Sequence, residues 1–431
     1  MFLKKIVLAL VAFIIFAMPW GSGVFGVISI GPLGLLALVG VLAFLAAMAF
    51  LLFGQQGLGK APVPWDISVT LLALFVALNF ASMGWADNPS RANSQSIDYA
   101  QLLVFVWLLV FLRSEKGALS ILLHAYLLGA FFAIFQVVST VGPSQLLELD
   151  ARLDGLNRTA NGFALTLTLA IPIALYLFQR GRPMVRWLYL SYIPAAAFLV
   201  FLSGSRTGFL LLLIVAGVAF WSILKAEEHG KVRFSRKGAL FSVGAAVVLA
   251  VVVAPHLTEQ FQRQAERIAT VTQDETAGGR THLWGAAIAA YRENPILGLG
   301  SGGIREAMPD YIGHDGLFVS LPITGRAVHN TYLVIAADTG TVGLLLYLAA
   351  IGVVALRLPS FPRQERLLFV SMMGVALLAA TTLDLQTRRE FYFALFLPLA
   401  LGAWRPQKRK APAVRGTQHA STTMARLERA R

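Results

Sequence analysis

The chain has 431 residues, of which 57% are hydrophobic and only 13% charged, with a mean hydropathy of +0.69. Soluble domains carry about 25% charged residues, so a water-soluble globular enzyme is excluded as the bulk of the molecule. The absence of cysteine excludes disulfides and cysteine-ligated metals, and the net charge of +14 has to be read against topology before any partner is inferred from it.

Runs of about 20 apolar residues are long enough to cross the hydrocarbon core. Twelve candidate spans occur in order: 4–19, 31–53, 65–83, 98–112, 118–139, 159–178, 185–202, 205–224, 238–255, 328–356, 365–382 and 388–404. Their apolar residues do not alternate as in a transmembrane barrel, and backbone groups in lipid must be paired within the segment, so the spans are expected to be helices. The run 98–112 is short for a span, and the pair flanking Ser203–Arg206 is joined by a very tight turn. Met1 to Lys5 followed by an apolar run reads as a first transmembrane helix rather than a cleaved signal peptide, because no small-residue cleavage site follows Met18-Pro19-Trp20.

With the N-terminus placed in the cytoplasm, the inner segments carry 24 basic and six acidic residues, net +18. The outer segments carry 12 basic and 16 acidic residues, net −4. This follows the positive-inside rule. The high pI of about 10.3 therefore reflects orientation and contact with anionic membrane lipids, and no nucleic-acid partner is expected. All nine lysines fall inside, whereas the outer cations are all arginine. Arginine keeps its charge and grips phosphate or carboxylate with two parallel donors. An arginine-rich composition combined with topology also produces part of this bias.

The expected organisation is residues 1–255 with spans one to nine, a polar outer loop over 256–328, spans ten to twelve over 329–404, and a basic tail from 405 to 431 of disordered composition. Within the loop, Thr258–Ile268 reads as a polar helix, Gly278-Gly279 as its break, and Arg280 as the start of a second helix that Asn294-Pro295 stops. Gly298-Leu299-Gly300-Ser301-Gly302-Gly303 matches a dinucleotide fingerprint in spacing, but it follows no strand and opens no clear helix, so it reads as a turn.

Three places in this order can carry chemistry. Ser203-Gly204-Ser205-Arg206-Thr207-Gly208 holds Arg206 at a helix start, where outward N–H groups favour an anion; snorkelling to headgroups is the structural alternative. Arg280 lies four residues before Trp284, which fits either a structural cation–π pair or an arginine steadied for phosphate. His329, at the head of His329-Asn330-Thr331-Tyr332-Leu333, is a candidate general base, a helix cap being the plainer role. The spacing of His314, Asp315 and His329 fits no zinc pattern, so no metal is expected.

Taken together, Ser203–Gly208, Gly279-Arg280…Trp284…Ala287 leading to Asn294-Pro295…Gly298…Gly300, and His329-Asn330-Thr331-Tyr332-Leu333…Gly340…Gly343 resemble the O-antigen ligase and polymerase superfamily of membrane glycosyltransferases. Leu156–Gly162 is similar to the family's earlier polar loop before a helix, and the likeness is strongest over residues 150–350. One departure is Asp338, where many members carry Glu. The resemblance implies an all-α integral membrane protein of GT-C-like fold in the bacterial inner membrane, with its large helical loop and active site facing the periplasm.

It implies as donor an O-antigen glycan linked to undecaprenyl pyrophosphate, and as acceptor, for a ligase, the lipid A–core. Transfer would be inverting, with no cofactor and no metal. On this reading Arg206 and Arg280 neutralise the leaving diphosphate and His329 takes the acceptor proton. Substrate contacts are expected at Arg152, Arg158, Asn161, Trp284, Asn330, Arg388 and Arg389. The alternatives are an O-antigen polymerase, whose acceptor is a second lipid-linked glycan, then a protein O-oligosaccharyltransferase, and last a secondary transporter. A transporter would place more ionisable residues deep in the spans, and Asp338 is the main one here.

Overall fold

The computed structural model describes residues 2–20, 29–30, 33–53, 65–142, 159–181, 185–228, 275–312 and 326–401. Its helices are α1 (Phe2–Ala17), α2 (Leu35–Phe53), α3 (Ile67–Ala81), α4 (Pro89–Leu112), α5 (Ala118–Val141), α6 (Ala160–Arg180), α7 (Arg186–Leu202) and α8 (Arg206–Glu228). They continue with α9 (Glu275–Glu293), α10 (Gly303–Tyr311), α11 (Thr331–Ala355), α12 (Arg363–Ala379) and α13 (Arg389–Phe396). A two-residue antiparallel ladder, β1 (Ser29–Ile30) with β2 (Leu33–Gly34), pairs Ser29 with Gly34 and Ile30 with Leu33 just ahead of α2.

The chain is a helical membrane protein. Among the described residues, six helices are long and apolar enough to cross a bilayer: α2, α3 with its short 3₁₀ extension, α4, α5, α6 and α11 with its extension. The helices α7 and α8 are apolar but shorter in their described part, and the runs at 4–19, 365–382 and 388–404 form α1, α12 and α13. The expected span 238–255, the loop helix Thr258–Ile268, Arg152, Arg158, His314, Asp315 and the basic tail lie outside the described residues. The run expected to be short, 98–112, is the C-terminal part of a 24-residue helix. Asn88 caps that helix by accepting from the Arg91 N–H, and Pro89 opens it at a position that needs no donor. Polar residues in its first turns hid this start from hydropathy.

Burial separates centre from periphery. The window of α6 is 89% buried by protein, whereas that of α2 is 11% buried. A helix apolar on every side is stable in either setting, so the difference comes from packing. The central helix α6 lies against α5, α7, α8 and α12, α2 packs on α1 and α4, and α3 packs between α4 and α11. Buried side chains of α1 to α8 and α11 to α13 form one continuous core. A second, smaller core joins α9 and α10 to Val328, Val334 and Ala337 at the head of α11.

The helix α11 is broken inside the span. Gly340 has φ 63° and ψ −166°, and the chain segment 295–300 lies against the break. Leu299 N–H and Gly300 N–H donate to the Ala337 and Asp338 carbonyls at 2.9 Å each. Thr341 N–H and Val342 N–H donate to the Pro295 and Ile296 carbonyls at 2.8 and 3.2 Å. The strap thus supplies partners that the interrupted helix lacks, as lipid-embedded backbone requires. Only glycine fits the crossing. A Cβ on Gly340 would lie 2.2 Å from the Ile296 carbonyl oxygen, and one on Gly298 would lie 2.5 Å from the Asp338 backbone.

Candidate active site

The site is assembled where three chain segments dock on residues 380–385, between α12 and α13. Thr331 N–H donates to the Ala380 and Leu383 carbonyls, its hydroxyl donates to Leu383 O at 2.7 Å, and Leu385 N–H donates to that hydroxyl at 2.8 Å. The head of α11 is therefore fixed. Asn330 caps it, its side-chain oxygen accepting from Tyr332 and Leu333 N–H. Val328 and Thr331 are both fully buried, so the turn between them is forced. His329 takes it at φ 59°, the only positive φ of a non-glycine residue among the described ones. Such backbone costs about 1–3 kcal/mol and persists where its surroundings over-determine it.

Charge converges here. The Asp384 carboxylate, 8% exposed, accepts from Asn330 N–H at 3.1 Å and from Arg305 Nη2 at 3.3 Å. His329 sits in the field of Asp384, Arg280 and Arg305. Burial pushes its pKa below the ordinary histidine value, Asp384 opposes this, and Arg280 and Arg305 add to it. The imidazole is thereby neutral at physiological pH, the form a general base needs.

Arg280 reaches the site from α9, which starts at Glu275 and runs through Gly278-Gly279. The expected break at those glycines does not occur: a glycine costs only about 1 kcal/mol in a helix interior, which the packing of Leu283, Ala286, Ala287 and Ala290 against α10 and the head of α11 offsets. The expected stop at Asn294-Pro295 does occur. Trp284 donates its indole N–H to the Val328 carbonyl at 3.1 Å and so braces the residue before His329.

The Arg206 turn approaches from the other side. Gly204 takes φ 61°, and the Ser205 hydroxyl accepts from Gly208 N–H at 2.9 Å while donating to Asn161 Oδ1 at 2.7 Å. The Thr207 hydroxyl bonds that of Thr382 at 3.0 Å, two residues before Asp384. The turn that carries Arg206, together with Asn161, is thus tied to the 380–385 segment, on which the head of α11 with His329 and Asn330 also docks. Arg388 is exposed at the N-terminal cap of α13. Arg389 turns away and donates to Gln101 Oε1 at 2.9 Å, at the edge of an apolar cavity of about 200 Å³ between α1, α2 and α4.

Two residues were not foreseen from sequence, Arg305 and Asp384. Arg305 was lost in a polar stretch, and Asp384 in the seam between two apolar runs. The Gly298–Gly303 segment also needs correction: it does open a helix, Gly302 capping α10 at φ 75°. The signal was weak because Gly302 has no side chain to cap with.

Residues 191–348 match the family model described as O-antigen ligase. Over that segment the chain is similar to the O-antigen ligase family. Comparison with curated proteins gave no match. The family segment runs from α7 into α11 and so includes Arg206, Arg280, Arg305, His329 and Asp338, while Asn161 and Asp384 lie outside it. Members are glycosyltransferase-like enzymes of lipopolysaccharide biosynthesis.

Proposed function

We propose that this protein is an O-antigen ligase that transfers a glycan from undecaprenyl pyrophosphate to the lipid A–core at the periplasmic face of the bacterial inner membrane. The observation that carries the reading is a half-buried, left-handed His329 in the field of Arg280 and Arg305, with Asp384 bonded to Arg305 and to the neighbouring Asn330 N–H. Neutral His329 accepts the proton of the acceptor hydroxyl. The acceptor oxygen bonds to the anomeric carbon as that carbon's bond to the diphosphate oxygen breaks, and the electron pair leaves with the diphosphate. Arg206 and Arg280 offset the growing negative charge, which is the electrostatic contribution that usually dominates catalysis. Attack opposite the leaving group inverts the anomeric centre, and no metal is required because guanidinium groups do that work. Twelve spans in a GT-C-like arrangement belong to the same reading, supported by the apolar helices α1, α7, α8 and α12.

The deciding experiment gives the purified protein a lipid-linked glycan together with lipid A–core or with a second lipid-linked glycan. Transfer to the core, undiminished by EDTA, is expected. Extension of the second lipid-linked glycan with no transfer to core makes the protein an O-antigen polymerase, and loss of transfer in EDTA with recovery on adding a divalent ion overturns metal independence.

A further inference from the structure

We propose that Arg305 is a further diphosphate-binding cation of this site, and that Asp338 is the positioning residue that sets it; this rests on the lipid-diphosphate donor proposed above. The helix α10 is nine residues long, and no side chain of its own caps it. Its first N–H groups are held instead by a carboxylate from another element. Asp338, 1% exposed within α11, accepts from Gly302 N–H at 3.0 Å and Ile304 N–H at 2.9 Å, one on each oxygen. Gln95 of α4 adds a third donor at 3.1 Å. A buried carboxylate is unfavourable unless its oxygens are engaged, and these three donors engage both.

The result is that a span grips the start of a short helix and fixes its rotation. Ile304 and Met308 then face the small core against α9, Glu306 pairs with Arg91 of α4, and Arg305 is left pointing at Asp384. Its side chain is 31% exposed. The contact with Asp384 uses one nitrogen at a long 3.3 Å, so most of the guanidinium's donors remain for a ligand. Arg280 and Arg305 both act on His329, and Arg305 keeps donors that Asp384 does not use, so the site offers hydrogen-bond donors to an anion. A diphosphate, with several non-bridging oxygens, complements it. As the anomeric C–O bond breaks, Arg305 exchanges from Asp384 to those oxygens.

The test uses the full chain in lipid nanodiscs, with farnesyl diphosphate as the binding probe and donor kinetics as the second readout. Arg305→Gln is expected to weaken farnesyl diphosphate binding and lower kcat about ten- to a hundredfold, as losing a charged hydrogen bond does. Asp338→Asn is expected to shift both in the same direction, and Asp338→Glu to restore them. The Asp338→Asn/Arg305→Gln double variant is expected to be no worse than Arg305→Gln alone, because the two act as one unit. A merely structural Asp338 would instead multiply the losses, and that outcome overturns the positioning role. If Asp338→Asn does not fold, Gln95→Leu keeps the carboxylate and is expected to give a smaller loss that Arg305→Gln masks; losses that multiply there count equally against it. Normal binding and transfer by Arg305→Gln overturns the role of Arg305. If Arg206→Gln and Arg280→Gln lose binding while Arg305→Gln does not, only this inference fails. If all three bind and transfer normally, the diphosphate reading itself has failed.

Discussion

At one end of the bundle, cations are matched by partners that tie helices together. Arg180 pairs with Glu365, Arg357 with Asp66, and Lys4 bonds the Ser114 hydroxyl. At the other end, Arg280, Arg305 and Asp384 all act on His329, and Asp384 bonds Arg305. The first arrangement is closed: each charge is answered and the helices are locked. The second is held open by its surroundings, through a strained histidine, a strap threaded across a broken helix and a helix capped from a distance. The same side-chain types therefore serve scaffold or chemistry according to the elements that surround them.

This contrast can be broken at its strongest point first. His329→Ala should abolish transfer, a loss of about 10²–10⁴-fold for removal of a general base, while the melting temperature stays within a few degrees of wild type because the half-exposed ring leaves little buried surface unfilled. Near-normal turnover would end the general-base role. Arg280→Gln comes next, with kcat expected to fall about 10²–10³-fold, as when one group stabilising a developing charge is removed.

The same variant sharpens the electrostatics. His329 must be neutral to accept a proton, so wild-type activity should fall only below the ordinary histidine range. Arg280 lowers the His329 pKa, so Arg280→Gln should move that acid limb to higher pH. A limb that stays put or moves down would mean that Arg280 does not act on the histidine.

Gly340→Ala tests the strap. The added Cβ meets the Ile296 carbonyl at 2.2 Å in a left-handed backbone, so stability should drop by about 1–3 kcal/mol from backbone strain. Transfer should fall less than in Arg280→Gln. An unchanged melting temperature would show that the crossing is slack.

The smallest effect on transfer is expected at the closed end. Arg357→Gln should leave turnover per folded molecule unchanged and lower stability. Burial pushes the Asp66 carboxyl up, but the hydrogen bonds from Arg357 and Ser68 outweigh it and hold the pKa below its ordinary value. That stabilisation is present above the unfolded-state pKa and fades as pH falls through the folded one. In Arg357→Gln the melting temperature should therefore be less sensitive to acid than in wild type. A large loss of turnover would erase the distinction between the two ends.

Much of the bundle was legible from local signals. The helix starts at Ala118, Ala160, Arg186 and Arg206 fell within a residue or two of the apolar edges, because hydropathy is a property of consecutive residues. The 24 residues of α4 were not fully legible, since its first turns are polar and carry no hydropathy signal. The motifs around Arg206, Arg280 and His329 were visible because each has a sharp local signature of glycine, aromatic or helix cap. Asp384 and Arg305 have none.

Sequence alone determined that the chain is embedded in a membrane and that it is helical. Both follow from the free energy of placing apolar and charged residues relative to a bilayer, summed along the chain. Only the tertiary structure decided that Arg305 meets Asp384 across 79 residues, that Asp338 caps a helix 34 residues away, and that the 295–300 strap completes a broken span. Those pairings depend on which buried polar groups find partners in the packed bundle, and distance along the chain carries no information about that.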